Sequence, residues 1–126
     1  MWRNVPAPDM GTNAQDMCWF MDEYSLLAGN YTPGTVTGKP VGGGGSLGRT
    51  EATGLGVVIC IREAMKQLGI DSAKTTAAIE GFGNVAQYAA IHYIGKLGGK
   101  VLCVSCWNRE EKKSFTFLKI GRASCR

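Results

Sequence analysis

The stretch Thr75-Thr-Ala-Ala-Ile79-Glu-Gly81-Phe-Gly83-Asn-Val-Ala86 constrains this chain more than any other part of it. A short, mostly apolar run leads into two glycines spaced Gly-x-Gly-x-x-Ala. Residues 84–97 then place Val85, Ala89, Tyr93 and Leu97 at helical spacing. Gly98-Gly99 stops that helix, and Val101-Leu102-Cys103-Val104 is a second apolar run. Strand, helix and strand at this spacing predict a βαβ unit with parallel strands and a right-handed crossover. In that setting the glycines have a chemical reading. The first permits a tight turn, the second lets a pyrophosphate approach the backbone, and the small third residue lets helix and strand pack closely. The start of the helix supplies unpaired N–H groups and the positive end of its dipole. Dinucleotide binding is therefore predicted, against the plainer alternative of a strand–helix turn that happens to use glycine.

Such a site usually holds the ribose through an acid at the end of the second strand. Here that position reads Ser105-Cys106-Trp107-Asn108, and no carboxylate occurs before Glu110. Ser105 can hydrogen-bond a 2′-hydroxyl or a 2′-phosphate, so the choice between NAD and NADP stays open. A second glycine loop, Gly43-Gly44-Gly45-Ser46-Leu47-Gly48-Arg49-Thr50, has the spacing of a triphosphate loop with Arg in place of Lys. A guanidinium does not replace the compact ammonium there, and no strand ending in an acid is at hand for magnesium.

The rest of the chain is quieter. Eighteen of 126 residues are glycine, roughly twice average usage, without the three-residue period of collagen. A hydrophobic share of 44% and a charged share of 19% suit a globular chain. No apolar run is long enough for a membrane helix, and the start of the chain lacks the apolar core of an export signal. The five cysteines, Cys18, Cys60, Cys103, Cys106 and Cys125, then read as reduced thiols in a cytoplasmic protein. The net charge of +4 comes from the end: residues 100–126 hold seven Lys/Arg and two Asp/Glu, residues 1–99 seven and eight. No aromatic residues interleave with the basic ones, so no nucleic-acid partner is expected. Cys103-x-x-Cys106 lacks the second pair or histidines of a zinc site, so no metal is expected. His92, the only histidine, reads as a partly exposed helical residue.

Earlier in the chain, Val5-Pro6-Ala7-Pro8-Asp9 is a stiff extended lead-in. Thr12 and Gln15 have capping-box spacing ahead of a helix over residues 13–27, in which Met17, Cys18, Phe20, Met21, Tyr24 and Leu27 recur at helical spacing. Thr35-Val36-Thr37 reads as a short extended piece, and Gly42–Gly45 as a linker or a functional loop. A second helix is predicted over residues 50–67, with Leu55, Val58, Ile61, Met65 and Leu68 in one stripe. Beyond Ser105 the pattern dissolves into charge and irregularity. Asp9 reads equally well as a helix-flanking acid or as a functional group.

Taken in order, Val5-Pro-Ala-Pro-Asp9, Thr37-Gly-Lys-Pro40, Gly44-Gly-Ser-Leu-Gly-Arg-Thr-Glu-Ala-Thr-Gly54 and Gly81-Phe-Gly-Asn-Val85 resemble the glutamate dehydrogenase family over roughly residues 4–105. The Arg-Thr-Glu-Ala-Thr-Gly stretch separates it from the related leucine, phenylalanine and valine dehydrogenases. The resemblance implies an α/β chain: the start of a Rossmann-type dinucleotide-binding domain, preceded by the end of an α/β substrate domain. Residues 1–38 would close the substrate-binding domain, 39–119 would open the NAD(P)-binding domain, and 120–126 would be a non-native tail. The implied activity is oxidative deamination of L-glutamate to 2-oxoglutarate and ammonia with NAD or NADP, in a protein that is a hexamer when full length. The alternatives are another amino-acid dehydrogenase and a catalytically inactive nucleotide-binding fragment. By matched position, Asp9 resembles the catalytic aspartate and Thr37 a residue near the substrate. Arg49 and Thr53 resemble residues that approach the cofactor, and Gly81, Phe82, Gly83, Asn84 and Val85 the dinucleotide loop. Arg49 and Thr50 would then open a helix, which removes the triphosphate-loop reading.

Overall fold

The computed structural model describes residues 4–118; the expected tail over 120–126 lies outside them. The chain divides into two compact units between Arg49 and Thr50, while the change of domain read from the sequence falls between residues 38 and 39. No helix among the described residues is long and apolar enough to cross a membrane.

The first unit is built around α1, Ala14–Ala28. Its cap is Asn13, whose side chain accepts from Gln15 N at 2.7 Å while Asp16 accepts from Asn13 N at 2.7 Å. The capping box thus sits one residue later than the Thr12–Gln15 spacing suggests. The Thr12 hydroxyl is occupied elsewhere, accepting from Asp9 N at 2.8 Å within the preceding turn. Of the periodic apolar residues only Met17 is buried, while Phe20, Tyr24 and Leu27 stand exposed. After α1 the chain is held by polar contacts. Ser25 Oγ accepts from Thr32 N at 3.1 Å, and Thr35 Oγ1 donates to Thr32 O at 2.7 Å. Pro33–Thr35 is a 3-10 turn, so Thr35 departs from the extended piece expected over 35–37, while Val36 keeps extended backbone. Val36 is buried with Thr35.

The glycine run is not a loose linker. Val41–Gly43 forms a 3-10 turn. Gly43 N and Gly45 N both donate to Pro40 O at 2.9 Å, folding the run back on itself.

The second unit is α/β. Helix α2, Arg49–Gln67, carries the predicted stripe: Val58 is buried, Leu55, Ile61 and Met65 are half-buried, and Leu68 is exposed. Strand β1, Thr76–Glu80, leads through the glycine turn into α3, Asn84–Leu97, and on to β2, Lys100–Asn108. β1 and β2 are parallel, with Thr76 opposite Lys100, Ile79 opposite Val104 and Glu80 opposite Ser105. A bulge between Ala77 and Ala78 shifts the register. Val58, Tyr93, Leu97, Val101 and Val104 form the core, with Ala77, Ile79, Phe82 and Ala89 packed against it. Two hydrogen bonds fasten this layer: Thr75 Oγ1 with Tyr93 Oη at 2.6 Å, and Ser72 Oγ to Leu97 O at 2.9 Å.

Beyond Ser105 the structure departs from the sequence reading. β2 continues to Asn108, and β3, Lys113–Leu118, returns antiparallel to it, pairing Cys106 with Phe115 and Asn108 with Lys113. Every residue of β3 is exposed, so the alternation of Ser114-Phe115-Thr116-Phe117 buries neither face. The sheet is therefore mixed, in the order β1-β2-β3. Asn108 Oδ1 accepts from Glu110 N and Glu111 N at 2.9 and 3.2 Å and organises the hairpin turn.

Candidate functional site

The turn between β1 and α3 has the geometry that its sequence predicts. Gly81 lies at φ +78°, a left-handed conformation that an L side chain resists, and this reverses the chain after Glu80. Gly83 is different. It caps α3 with extended backbone at φ −76°, and a Cβ added there would meet nothing within 4 Å. Its missing side chain thus relieves no contact inside the protein and leaves the backbone open to an approaching group. No side chain caps α3, so the first N–H groups of the helix face the loop with the dipole's positive end behind them. Phe82 is half-buried against the core, and its carbonyl accepts from Gln87 Nε2 at 2.9 Å, which stiffens the turn. Val85 is exposed.

Asn84 ties the loop to α2. Its Nδ2 donates to Thr50 O at 2.8 Å. A carbonyl oxygen can only accept, so this contact assigns the amide nitrogen to Thr50 O and leaves Oδ1 as the acceptor end of the side chain. Thr53 is exposed one turn further along α2. Its neighbour Gly54 is buried against α3: a Cβ there would come within 2.6 Å of Tyr88 Cβ, 2.7 Å of Ala89 N and 2.8 Å of Val85 O. The glycine ending the Arg-Thr-Glu-Ala-Thr-Gly motif therefore sets how closely α2 approaches the helix that opens at Asn84. His92, on the same helix pair, has a side chain only 13% exposed, with Nε2 3.3 Å from Glu51 Oε2 outside hydrogen-bond geometry.

Ser105 is the last residue of β2 paired with β1, and Cys106 follows it. Val104 is buried under the helices, so alternation along the strand puts Ser105, with its partner Glu80, on the other face. Cys106 returns to the α3 side and is half-buried. Cys103 falls on the face away from the helices, so the two thiols point apart. No cluster of three or more His, Cys, Asp or Glu among the described residues could hold a metal ion.

Within the first unit, the lead-in, the Thr37-Gly-Lys-Pro40 stretch and Arg49 converge. Thr37 N donates to Pro6 O at 2.9 Å, and Arg49 Nη2 reaches Pro8 O at 3.5 Å. Gly38 lies against the Pro8 ring, with no room between them for a side chain. Lys39 Nζ donates to Pro33 O at 2.8 Å. Asp9 is exposed at the end of this frame, and its Oδ1 accepts from Met10 N at 2.7 Å. The structure thus gathers Asp9, Thr37 and Arg49 in one unit. Thr53, the Gly81–Val85 loop and Ser105 belong to the other. The close approach at Gly54 is a packing determinant that periodicity missed; a glycine inside a helical stripe is its mark in the sequence, and Gly56 carries the same mark without the close approach.

A βαβ unit with a left-handed first glycine, an open second glycine and an uncapped helix start defines the opening of a Rossmann-type domain. Residues 44–108 match the family model for Glutamate/Leucine/Phenylalanine/Valine dehydrogenase, and the chain belongs to that family. It is 54% identical over 104 residues to the glutamate dehydrogenase of Thermotoga maritima, covering 82% of this chain and 25% of that protein. It is 50% identical over 108 residues to the NAD-specific glutamate dehydrogenase of Clostridioides difficile, covering 86% and 25%. The crystal structure of glutamate dehydrogenase from Peptoniphilus asaccharolyticus superposes with a TM-score of 0.78 at 43% identity, covering 92% of this chain and 29% of that one. The chain thus spans about a quarter of the length of the curated relatives it matches.

Proposed function

We propose that the intact protein carrying these residues is a glutamate dehydrogenase, oxidising L-glutamate to 2-oxoglutarate and ammonia with a nicotinamide dinucleotide. The observation that carries this reading is the Gly81–Val85 turn, with its left-handed first glycine, its unobstructed second glycine and its uncapped helix start. The names of the relatives supply the substrate and the nicotinamide cofactor.

Bound there, the nicotinamide ring would accept a hydride from the substrate α-carbon; NAD and NADP both remain candidates. The pyrophosphate would rest on the backbone of Gly81–Asn84 and on the start of α3, where aligned N–H groups favour its charge. Asn84 Oδ1, the acceptor end of that side chain, would accept a hydrogen bond from the nicotinamide side. Arg49 and Thr53 would approach the cofactor from α2, and Thr37 the substrate. As the hydride leaves, the substrate amine becomes an iminium, water adds to its carbon, and ammonia departs. Asp9 would take a proton from the amine or the water and return one to the leaving nitrogen.

In this reading residues 1–38 close the substrate-binding domain and residues 39–119 open the cofactor-binding domain of a soluble, cytoplasmic hexamer. The 126 residues by themselves would bind nucleotide at most, since the remaining three quarters of the relatives' length has no counterpart here. The test is glutamate-dependent reduction of NAD or NADP by the intact protein, with leucine, phenylalanine and valine in parallel. Turnover confined to glutamate supports the reading. Preference for an apolar amino acid, or no turnover, rejects it.

A further inference from the structure

We propose that His92 and Glu51 form a proton-dependent tie between α3 and the first turn of α2. The tie steadies the dinucleotide loop, so dinucleotide affinity strengthens as the pH falls. His92 is thus a positioning residue that acts through Glu51. The effect on affinity rests on the reading of Gly81–Val85 as a dinucleotide loop; the tie itself does not.

Among the described residues, His92 Nε2 is the one buried side-chain polar atom without a hydrogen-bond partner. Leaving such a group unpaired is costly, and a native structure that keeps one calls for a reason. Glu51 Oε2 lies 3.3 Å away, outside hydrogen-bond geometry. The two side chains differ in freedom. The imidazole is only 13% exposed and stacks on Tyr88, with ring centroids 6.4 Å apart, whereas the Glu51 side chain is 45% exposed. When the imidazole takes a proton from solvent, its positive charge draws the carboxylate into line, and the bond becomes charge-assisted.

The other groups around the imidazole leave the carboxylate in control. Tyr88 carries a phenol, which is ordinarily neutral where imidazoles titrate. Lys96, one turn later on α3, is exposed, and its like charge acts weakly through water. The strands meet α3 through the apolar Ala77, Ile79, Val101 and Val104. The tie also acts next to the candidate site. Glu51 follows Thr50, whose carbonyl accepts from Asn84 Nδ2 at 2.8 Å. Holding Glu51 therefore holds Thr50 O, and with it Asn84 at the start of α3. Because the tie needs the imidazolium, it is present at low pH and lost as the pH rises through the imidazole range, about pH 5–8.

The experiment is direct titration of the intact protein with NADH, and with NADPH in parallel, at about pH 5.5 and about pH 8.5, on either side of that range. No substrate or turnover is involved. The variants are Glu51→Gln, which keeps the size of the side chain but not its charge, His92→Gln, and the two together. Thermal unfolding of the same proteins at both pH values measures the coupling of the two residues. At low pH, Glu51→Gln should weaken dinucleotide binding about threefold, the size of an ion pair with one partner in water. At high pH it should match the parent. In the His92→Gln background the Glu51 change should do nothing at either pH. Comparing proteins at one pH cancels the other groups that titrate. The coupling in unfolding should likewise be present at low pH and absent at high pH. An effect of Glu51→Gln that is equal at the two pH values, or that survives without His92, overturns the proposal. A pH-dependent coupling in unfolding with unaltered affinity also overturns it, because the tie would then exist without steadying the loop. If the parent binds neither dinucleotide, the loop reading fails and takes the affinity effect with it, whereas the coupling in unfolding still decides the tie.

Discussion

Replacing Gly54 by Ala tests whether the spacing of α2 and α3 is set by a single missing side chain. Carbon atoms in contact sit about 3.5–4.0 Å apart, yet the new Cβ would lie 2.6 Å from Tyr88 Cβ. It would also lie 2.7 Å from Ala89 N and 2.8 Å from Val85 O, and backbone atoms of a helix cannot rotate away as a side-chain tip can. The helices must therefore separate by about 1 Å, an overpacking strain of about 1–3 kcal/mol. Against this stands the gain from Ala in a helix interior, about 0.8–1.0 kcal/mol over Gly. Strain wins, leaving a net loss of about 1–2 kcal/mol. Gly56 is the internal control: it lies on the same helix, but a Cβ there meets nothing within 4 Å. Gly56→Ala should keep the propensity gain and stabilise by up to about 1 kcal/mol. Thermal and denaturant unfolding of both variants beside the parent protein measures the difference. The reasoning is refuted if Gly54→Ala is as stable as Gly56→Ala.

Gly99→Ala should destabilise for a related reason, by about 1–3 kcal/mol. Its Cβ would fall 2.5–2.8 Å from the Tyr93 ring, which is buried and anchored at its hydroxyl by Thr75; unfolding midpoints check it. Asn84→Asp loses the donor to Thr50 O, a contact of about 0.5–1.5 kcal/mol, and puts an anion beside the proposed pyrophosphate site. Dinucleotide affinity should fall more than stability, as parallel titration and melting would show. In the intact protein, Asp9→Asn should lower turnover about 10²–10⁴-fold with dinucleotide binding retained, because Asn cannot carry the proton. Steady-state kinetics with more than about a tenth of parent turnover remaining would reduce Asp9 to a helix-flanking charge.

The legible part of this fold was the part that local chemistry dictates. β1, α3 and the start of β2 were readable because alternating burial and helical spacing meet at glycines whose backbone roles differ. Gly81 and Gly83 look alike in sequence, yet only Gly81 adopts a positive φ, while Gly83 is open on its side-chain side. β3 was not read: its Ser114-Phe115-Thr116-Phe117 alternation is short, follows the charged run Arg109 to Lys113, and buries neither face. The capping box was placed one residue early because Thr12 and Asn13 are both competent caps. The choice was made by the Asp9–Thr12 turn, a hydrogen bond that spacing does not reveal. The periodicity of α1 marks a helix rather than a core, since Met17 is buried while Phe20, Tyr24 and Leu27 are exposed. The proposed site residues rest on matched motifs. The physical reason for the Gly54 position emerged only from its approach to α3.

The central claim is that the Gly81–Asn84 backbone receives the pyrophosphate, and Gly83→Val tests it most directly. Gly83 already has a negative φ, and its side-chain direction is empty to 4 Å, so the protein alone should tolerate the substitution. A bound phosphate would not tolerate it, because the branched side chain would occupy the space through which it reaches the backbone. The measurement is dinucleotide affinity of the intact parent and variant by direct titration, alongside their unfolding midpoints. The account predicts affinity lower by about tenfold or more, roughly 1.4 kcal/mol, with the midpoint essentially unchanged. Unaltered affinity in a folded Gly83→Val protein would contradict it.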